Sequence, residues 1–219
     1  MEKAKEKFQH SYYEIKPCGG IAGCPMSVSE DAKLAKSFKE ILDSKDLSSV
    51  FETKLKGPVR VHHKIKVALS GCVNGCSQHQ IADIGIIGQR RPFIGEFEAC
   101  TGCKKCIKAC RENAIEWDED AHRIAKINYD NCINCGRCIA VCPEGVFETD
   151  RQGYKIELGG RLGRHPRLAE ELGDFYTLDQ LLGTIDQIID LYLTEMNGFE
   201  KISHYVERNG IDYIRDKIN

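Results

Sequence analysis

The sequence predicts an α+β protein with a small cysteine-rich domain set into its middle. Three observations predict this. A cysteine motif occurs twice between residues 100 and 142. Strand-like alternation precedes that region, and the chain ends in apolar residues at helical spacing. At 219 residues, 42% hydrophobic and 29% charged, the chain has the balance of a globular protein with one sizeable core and room for a small insertion.

The elements follow in order. Ser27 with Glu30 is a capping-box signal for a helix carrying Leu34, Phe38, Ile41 and Leu42 on one side. Residues 43–57 read as a polar loop that closes with the turn signal Gly57-Pro58. Residues 59–69 alternate as a strand: Val59, Val61, Ile65, Val67 and Leu69 share one face, interrupted by His63. Arg60, His62, Lys64 and Lys66 share the other. Residues 81–87 read as a second strand, and 114–128 hold short strand-like pieces around Trp117 and Ile124 to Ile127. Past Thr177, the residues Leu178, Leu181, Leu182, Ile185, Ile188, Ile189 and Tyr192 form a helical stripe. A last helical stretch, 198–218, is interrupted at Asn209-Gly210.

Charge and hydropathy exclude several classes. A net charge of −2 from 31 basic and 33 acidic residues gives no excess for nucleic acid. No apolar run approaches the roughly 18 residues of a membrane span. The first residues, MEKAKEKFQHSYYEIK, are basic without an apolar stretch behind them, so they do not read as a secretory signal. The expected location is the cytoplasm, where twelve cysteines are not disulfide material.

Cysteine spacing carries the chemistry. Cys100, Cys103, Cys106 and Cys110 form C-x2-C-x2-C-x3-C, and Cys132, Cys135, Cys138 and Cys142 repeat it, ending in Cys142-Pro143. This spacing belongs to the bacterial two-cluster ferredoxins. A tight turn with three thiolates at intervals of three wraps one cubane, while the fourth, after a helical turn, serves the other. The expected quartets are Cys100, Cys103, Cys106 with Cys142, and Cys132, Cys135, Cys138 with Cys110. Arg111 stands where a proline follows the equivalent cysteine of the second repeat; this removes no ligand. Structural zinc, the competing reading, uses separated C-x2-C knuckles rather than three cysteines in tight succession.

The other four cysteines are Cys18-x5-Cys24 and Cys72-x3-Cys76. The run SGCVNGCSQHQIADIGIIG, from Ser70 to Gly88, together with the upstream pair resembles the signature of the sirohaem-type nitrite and sulfite reductase family. That resemblance implies a third [4Fe-4S] cluster on Cys18, Cys24, Cys72 and Cys76, with Cys76 also ligating sirohaem iron. The order of parts resembles the dissimilatory and anaerobic sulfite reductases, in which a two-cluster ferredoxin domain follows this signature. Residues 153–168, GYKIELGGRLGRHPRL, resemble the family's glycine-rich return strand and loop. The expected divisions are 1–96 (reductase-like, first part), 97–150 (inserted ferredoxin domain) and 151–219 (second part with C-terminal helices).

Site residues follow in the same terms. Lys64-Ile65-Lys66 matches a basic K-x-K of the family, and His63 stands where the family usually has arginine. With Arg60 and His62, these cations lead to Cys72 and suit an anionic substrate or tetrapyrrole carboxylates. Lysine and arginine would neutralise the oxygens of sulfite or nitrite and relay protons. Asn74, Gln78 and His79 flank the bridging cysteine as candidate supporting donors. Gly160, Arg161, Arg164, His165 and Arg167 make the glycine loop basic, although a solvated loop reads similarly. Only 17 residues precede Cys18, where the family has a further ferredoxin-like half-domain. The expectation is a partner chain or second copy that completes a sirohaem pocket, or an open pocket, or no haem. Two functions remain: reduction of sulfite, or less favoured nitrite, with electrons from a donor protein or reductase subunit; or a haem-free, three-cluster electron-transfer subunit. Oxygen-labile cubanes point to an anaerobic host.

Overall fold

The structure, a computed structural model, describes residues 10–19, 24–28 and 31–218. The chain forms two compact units: Met1–Gly88 with Tyr154–Asn219, and Gln89–Gly153.

The first unit begins with β1 (Tyr13–Pro17) and continues through helices α1 (Asp31–Ser44) and α2 (Leu47–Lys54) to β2 (Ile65–Ser70) and β3 (Ile84–Ile94). The second unit holds α3 (Lys105–Ala109), β4 (Ile115–Asp118), β5 (Arg123–Ile127) and α4 (Arg137–Val141). The chain returns along β6 (Phe147–Leu158), pairs with β7 (Glu170–Tyr176), and ends in α5 (Leu178–Glu195), α6 (Ile202–Asn209) and α7 (Ile211–Lys217). The main sheet has the order β1-β2-β3-β6-β7. β1, β2 and β3 are parallel, whereas β6 and β7 are antiparallel. The mixed sheet with its helices is α+β, as the sequence predicts.

Alternation sorts the sheet's faces. Tyr13 and Ile15, Ile65, Val67 and Leu69, Ile84 and Ile86 enter one core with Leu34, Phe38 and Leu42 of α1 and Leu181, Ile185, Ile188 and Ile189 of α5. Each such side chain contributes about 1.5–3 kcal/mol through burial. The intervening residues Glu14, Lys16, Lys66 and Ala68 line a cavity instead. The α5 helix starts at the capping box of Thr177 and Gln180, and Gly210, at φ 84°, separates α6 from α7. The Ser27–Glu30 cap lies outside the described residues.

Three expectations need correction. The strand of 59–69 begins only at Ile65, because β1 offers no partner before Tyr13, which pairs with Ile65. Residues 61–63 turn, with the His63 amide donating to Arg60 O at 2.8 Å. Val61 is consequently 65% exposed, and Arg60, His62 and Lys64 do not lie on a strand. The polar loop of 43–57 contains α2, since Asp46 accepts from the Ser49 amide at 3.1 Å and Leu47 and Phe51 are buried. The second strand also starts later and runs further than expected, as β3.

In the second unit the cysteine repeat is also a backbone repeat. Left-handed residues occur at Gly102, Lys104 and Asn113, and again thirty-two positions on at Asn134, Gly136 and Gly145. In each repeat the first two of these residues lead into a five-residue helix, α3 or α4, and the third follows it. β4 and β5 pair antiparallel between the repeats. The buried Cys106 and Cys138 share a small core with Ile115, Ile124, Ile127, Val146 and Phe147.

Candidate functional site

In the first unit the cysteine segments gather at the C-terminal ends of parallel β1 and β2. Cys18 follows β1 and donates its amide to Leu69 O at 2.8 Å, while its Sγ accepts from the Gly71 amide at 3.3 Å. The segment of Cys24 is tied to the same glycine, since the Val28 amide donates to Gly71 O at 2.8 Å. Cys72 follows directly. Gly75, at φ 64°, turns the chain towards Cys76, and a Cβ there would lie 3.0 Å from the His79 ring. The hydroxyls of Ser70 and Ser77, 2.6 Å apart, tie the end of β2 to this turn. Cys24 and Cys76 are exposed; Cys18 and Cys72 are half-buried.

Behind the turn lies a buried polar chain. His79 Nδ1 and Glu157 Oε2 are 2.7 Å apart, and Glu157 Oε1 accepts from Lys155 at 2.9 Å. Lys155 also pairs with Glu171 at 3.4 Å. Burial alone would raise the Glu157 carboxyl, but hydrogen bonds from His79 and Lys155 outweigh it and hold the carboxyl below its ordinary value. His79 therefore supports the Cys72–Cys76 turn from below rather than facing the cavity.

The cavity of about 330 Å3 adjoins that turn. Its lining includes Lys16, His62, Lys66, Ser77, Gln78, Asp83, Gly160, Arg161 and Lys201. Gln78, in a left-handed conformation, accepts from Lys16 at 2.7 Å. Arg161 grips Glu207 with two hydrogen bonds, at 2.8 and 3.1 Å. A Cβ on Gly160 would come within 2.5 Å of Gln80 O, so this glycine is fixed by close backbone packing as well as by its place on the wall. Asp83 is 1% exposed, and burial raises its carboxyl above the ordinary value.

Of the residues singled out from sequence, Lys66, His62, Gln78, Gly160 and Arg161 meet around this cavity. Arg60, Lys64, Asn74 and Arg164 do not line it; Arg60, Asn74 and Arg164 are exposed. His63 packs its ring on His62 and Phe199, and burial with the neighbouring His62, Arg60 and Lys201 lowers its pKa. Arg167 donates to Gly159 O at 2.9 Å and pairs with Glu170, while His165 O accepts from Arg161. Sequence reasoning missed Lys16, Asp83 and Lys201. Asp83 sits inside the quoted signature, whereas Lys16 and Lys201 are brought to the cavity by β1 and the C-terminal helices.

In the second unit a small cavity is lined by Cys100, Cys103, Cys106 and Cys142, closed by Trp117, Ile124, Pro143 and Val146. Burial raises the Cys106 thiol, and Cys142 and Cys100 add to the effect from close by. Burial pushes Cys138 up to about 12, with Cys135 and Cys132 as neighbours. Cys132 is raised by burial too, with Cys135 and Cys110 beside it. Each repeat's last cysteine thus stands with the other repeat's thiols. Among the described residues, no three His, Cys, Asp or Glu side chains converge at the spacing of a single ion.

The model of the nitrite and sulphite reductase 4Fe-4S domain matches residues 23–219. The chain belongs to this family. This chain is similar to an uncharacterised protein of Methanocaldococcus jannaschii, 36% identical over 83% of this chain and 61% of its own. The coenzyme F420-dependent sulfite reductase of the same organism is 36% identical over 78% of this chain and 27% of its own. One of the subunits of the anaerobic sulfite reductase of Salmonella typhimurium is 37% identical over 33% of this chain and 20% of its own. The chain thus spans from about three-fifths to one-fifth of these relatives' lengths. The crystal structure of dissimilatory sulfite reductase I shares the fold with a TM-score of 0.64 at 17% identity, over 95% of this chain and 52% of that one. The nitrite and sulphite reductase domain found here is therefore that of a sulfite reductase-like iron–sulfur protein. No helix among the described residues is long and apolar enough to cross a membrane.

Proposed function

We propose that the protein binds three [4Fe-4S] clusters and sirohaem, and reduces sulfite with electrons relayed through a ferredoxin-type second unit. The reading rests above all on one juxtaposition: the turn carrying Cys76 adjoins a cavity walled by Lys16, Lys66, Lys201 and Arg161. The quartets would be Cys18, Cys24, Cys72 and Cys76; Cys100, Cys103, Cys106 and Cys142; and Cys132, Cys135, Cys138 and Cys110. The thiols of Cys100, Cys103, Cys106 and Cys142 surround one small cavity, the arrangement a four-iron cube requires. The walls of the first-unit cavity fit an anionic tetrapyrrole, whose carboxylates call for cations, and a small oxyanion beside it.

Sirohaem, when bound, supplies the iron centre at which sulfite, or alternatively nitrite, is reduced. Cys76 would hold it beside the first-unit cluster. Lys66 and its neighbouring cations would neutralise the substrate's oxygens and favour their departure as protons arrive. An electron-donor protein or reductase subunit would feed the second unit, and a partner chain or second copy would complete the pocket.

Protein purified without oxygen should carry about twelve irons per chain with matching acid-labile sulfide, a sirohaem absorption band, and sulfite-dependent oxidation of a reduced dye. A second reading rests on the similarity to one of the subunits of the anaerobic sulfite reductase: a haem-free electron-transfer subunit. About twelve irons with no tetrapyrrole band, before and after addition of sirohaem, would establish that reading and overturn the first.

A further inference from the structure

The cavity holds a buried polar atom that no described residue satisfies. Asp83 Oδ2 accepts from the Lys66 amide at 2.9 Å, but Oδ1 has no hydrogen-bond partner. Lys201 Nζ stands 3.6 Å from Oδ1, within ion-pair range but beyond hydrogen-bond length. An under-satisfied buried carboxylate is costly, and here it is 1% exposed on the cavity wall.

Lys201 is unusual in its own right. It is the N-cap of α6 and makes no side-chain cap bond. Serine, threonine, asparagine or aspartate is preferred there, and a cation opposes the positive end of the helix. A lysine that breaks both local rules while its ammonium faces a buried carboxylate marks a functional position. The other cations are differently placed. Arg161 is committed to Glu207, and Lys16 to Gln78. Lys66 and Lys201 flank Asp83 on the same wall, and no hydrogen bond ties the Lys201 ammonium to another described residue.

We infer that Lys201 is an anion-binding residue of this cavity, held over it by Asp83 as a positioning residue, with a compact oxyanionic group as ligand. The inference rests on the sirohaem and sulfite reading above and adds a contact from the C-terminal helices to it. The ligand's oxygens would take hydrogen bonds from the Lys66 and Lys201 ammonium groups. Asp83 fixes the first through its backbone and the second through its charge. The group is a tetrapyrrole carboxylate or sulfite itself; both present the same chemistry.

Lys201→Met and Lys201→Arg, each in the anaerobically prepared iron-loaded chain, separate these sources. In one arm sirohaem is titrated into the protein and followed by absorbance; in the other, sulfite is titrated into the sirohaem-loaded protein by calorimetry. Lys201→Met should weaken one of the two about tenfold, the size of one lost charge-assisted hydrogen bond. Iron content should be unchanged, and Lys201→Arg should restore binding to within about threefold. A loss in the first arm assigns Lys201 to a cofactor carboxylate, and a loss in the second assigns it to sulfite. Unchanged affinity in both arms, or loss of iron in Lys201→Met, overturns the inference alone. A wild-type chain that takes up neither ligand overturns the parent reading along with it.

Discussion

The two cysteine regions are built on opposite plans. In the second unit, each set of three thiols comes from one short turn, the turns repeat residue by residue, and Cys106 and Cys138 lie inside the unit's own small core. In the first unit, the thiols come from segments some fifty residues apart, joined only because β1 and β2 are parallel neighbours that end together at Gly71. A local motif needs little help from the fold, whereas a site at strand ends exists only while the sheet does.

Breaking each plan separately should therefore give different losses. The largest expected effect is that of Cys138→Ser. About four irons per chain should disappear, while the iron assigned to the first unit and any sirohaem band persist; analytical iron and anaerobic spectra read the outcome. Loss of the sirohaem band as well would show that the two regions are not independent. Phe38→Ala attacks the other plan from a distance. Phe38 is fully buried in α1, and its truncation should cost about 3–5 kcal/mol. Denaturant melts should show first-unit iron released earlier, with second-unit iron holding; joint release would contradict the contrast.

Asp83→Asn should have the smallest effect, and with the opposite sign. Because burial raises the native carboxyl above 3.8, its ionisation opposes folding as pH climbs through that value to the native one. Asparagine still offers an acceptor to the Lys66 amide. The variant should melt higher than the wild type at neutral pH, and the gain should shrink as pH falls towards the ordinary carboxylate range. A gain independent of pH would rule out this origin.

How much could be read from the sequence follows the same divide. The repeated motif, the β4–β5 hairpin pieces and the α5 stripe were legible because each is written within one stretch of chain. So was the face of β2 that carries Lys66, since Ile65, Val67 and Leu69 alternate with it. The extension of that strand back to Val59 failed because a strand also needs a partner, and β1 starts only at Tyr13. The α2 helix was hidden by its polar composition, although Asp46 with Leu47 and Phe51 was a usable signal. Lys16 and Lys201 carry no local mark of their common destination. Only the register Lys16↔Ala68 and the placement of α6 bring them to one wall.

The chain leaves the first unit along β3 and re-enters it along β6, and these strands are neighbours in the main sheet. Neighbouring strands lie about 4.8 Å apart, so the exit and the return are side by side. A segment with adjoining ends can be gained, lost or exchanged without redrawing the topology around it. The second unit is thus free to vary in length and wiring while the first, which carries Cys76 and its cavity, keeps the same frame.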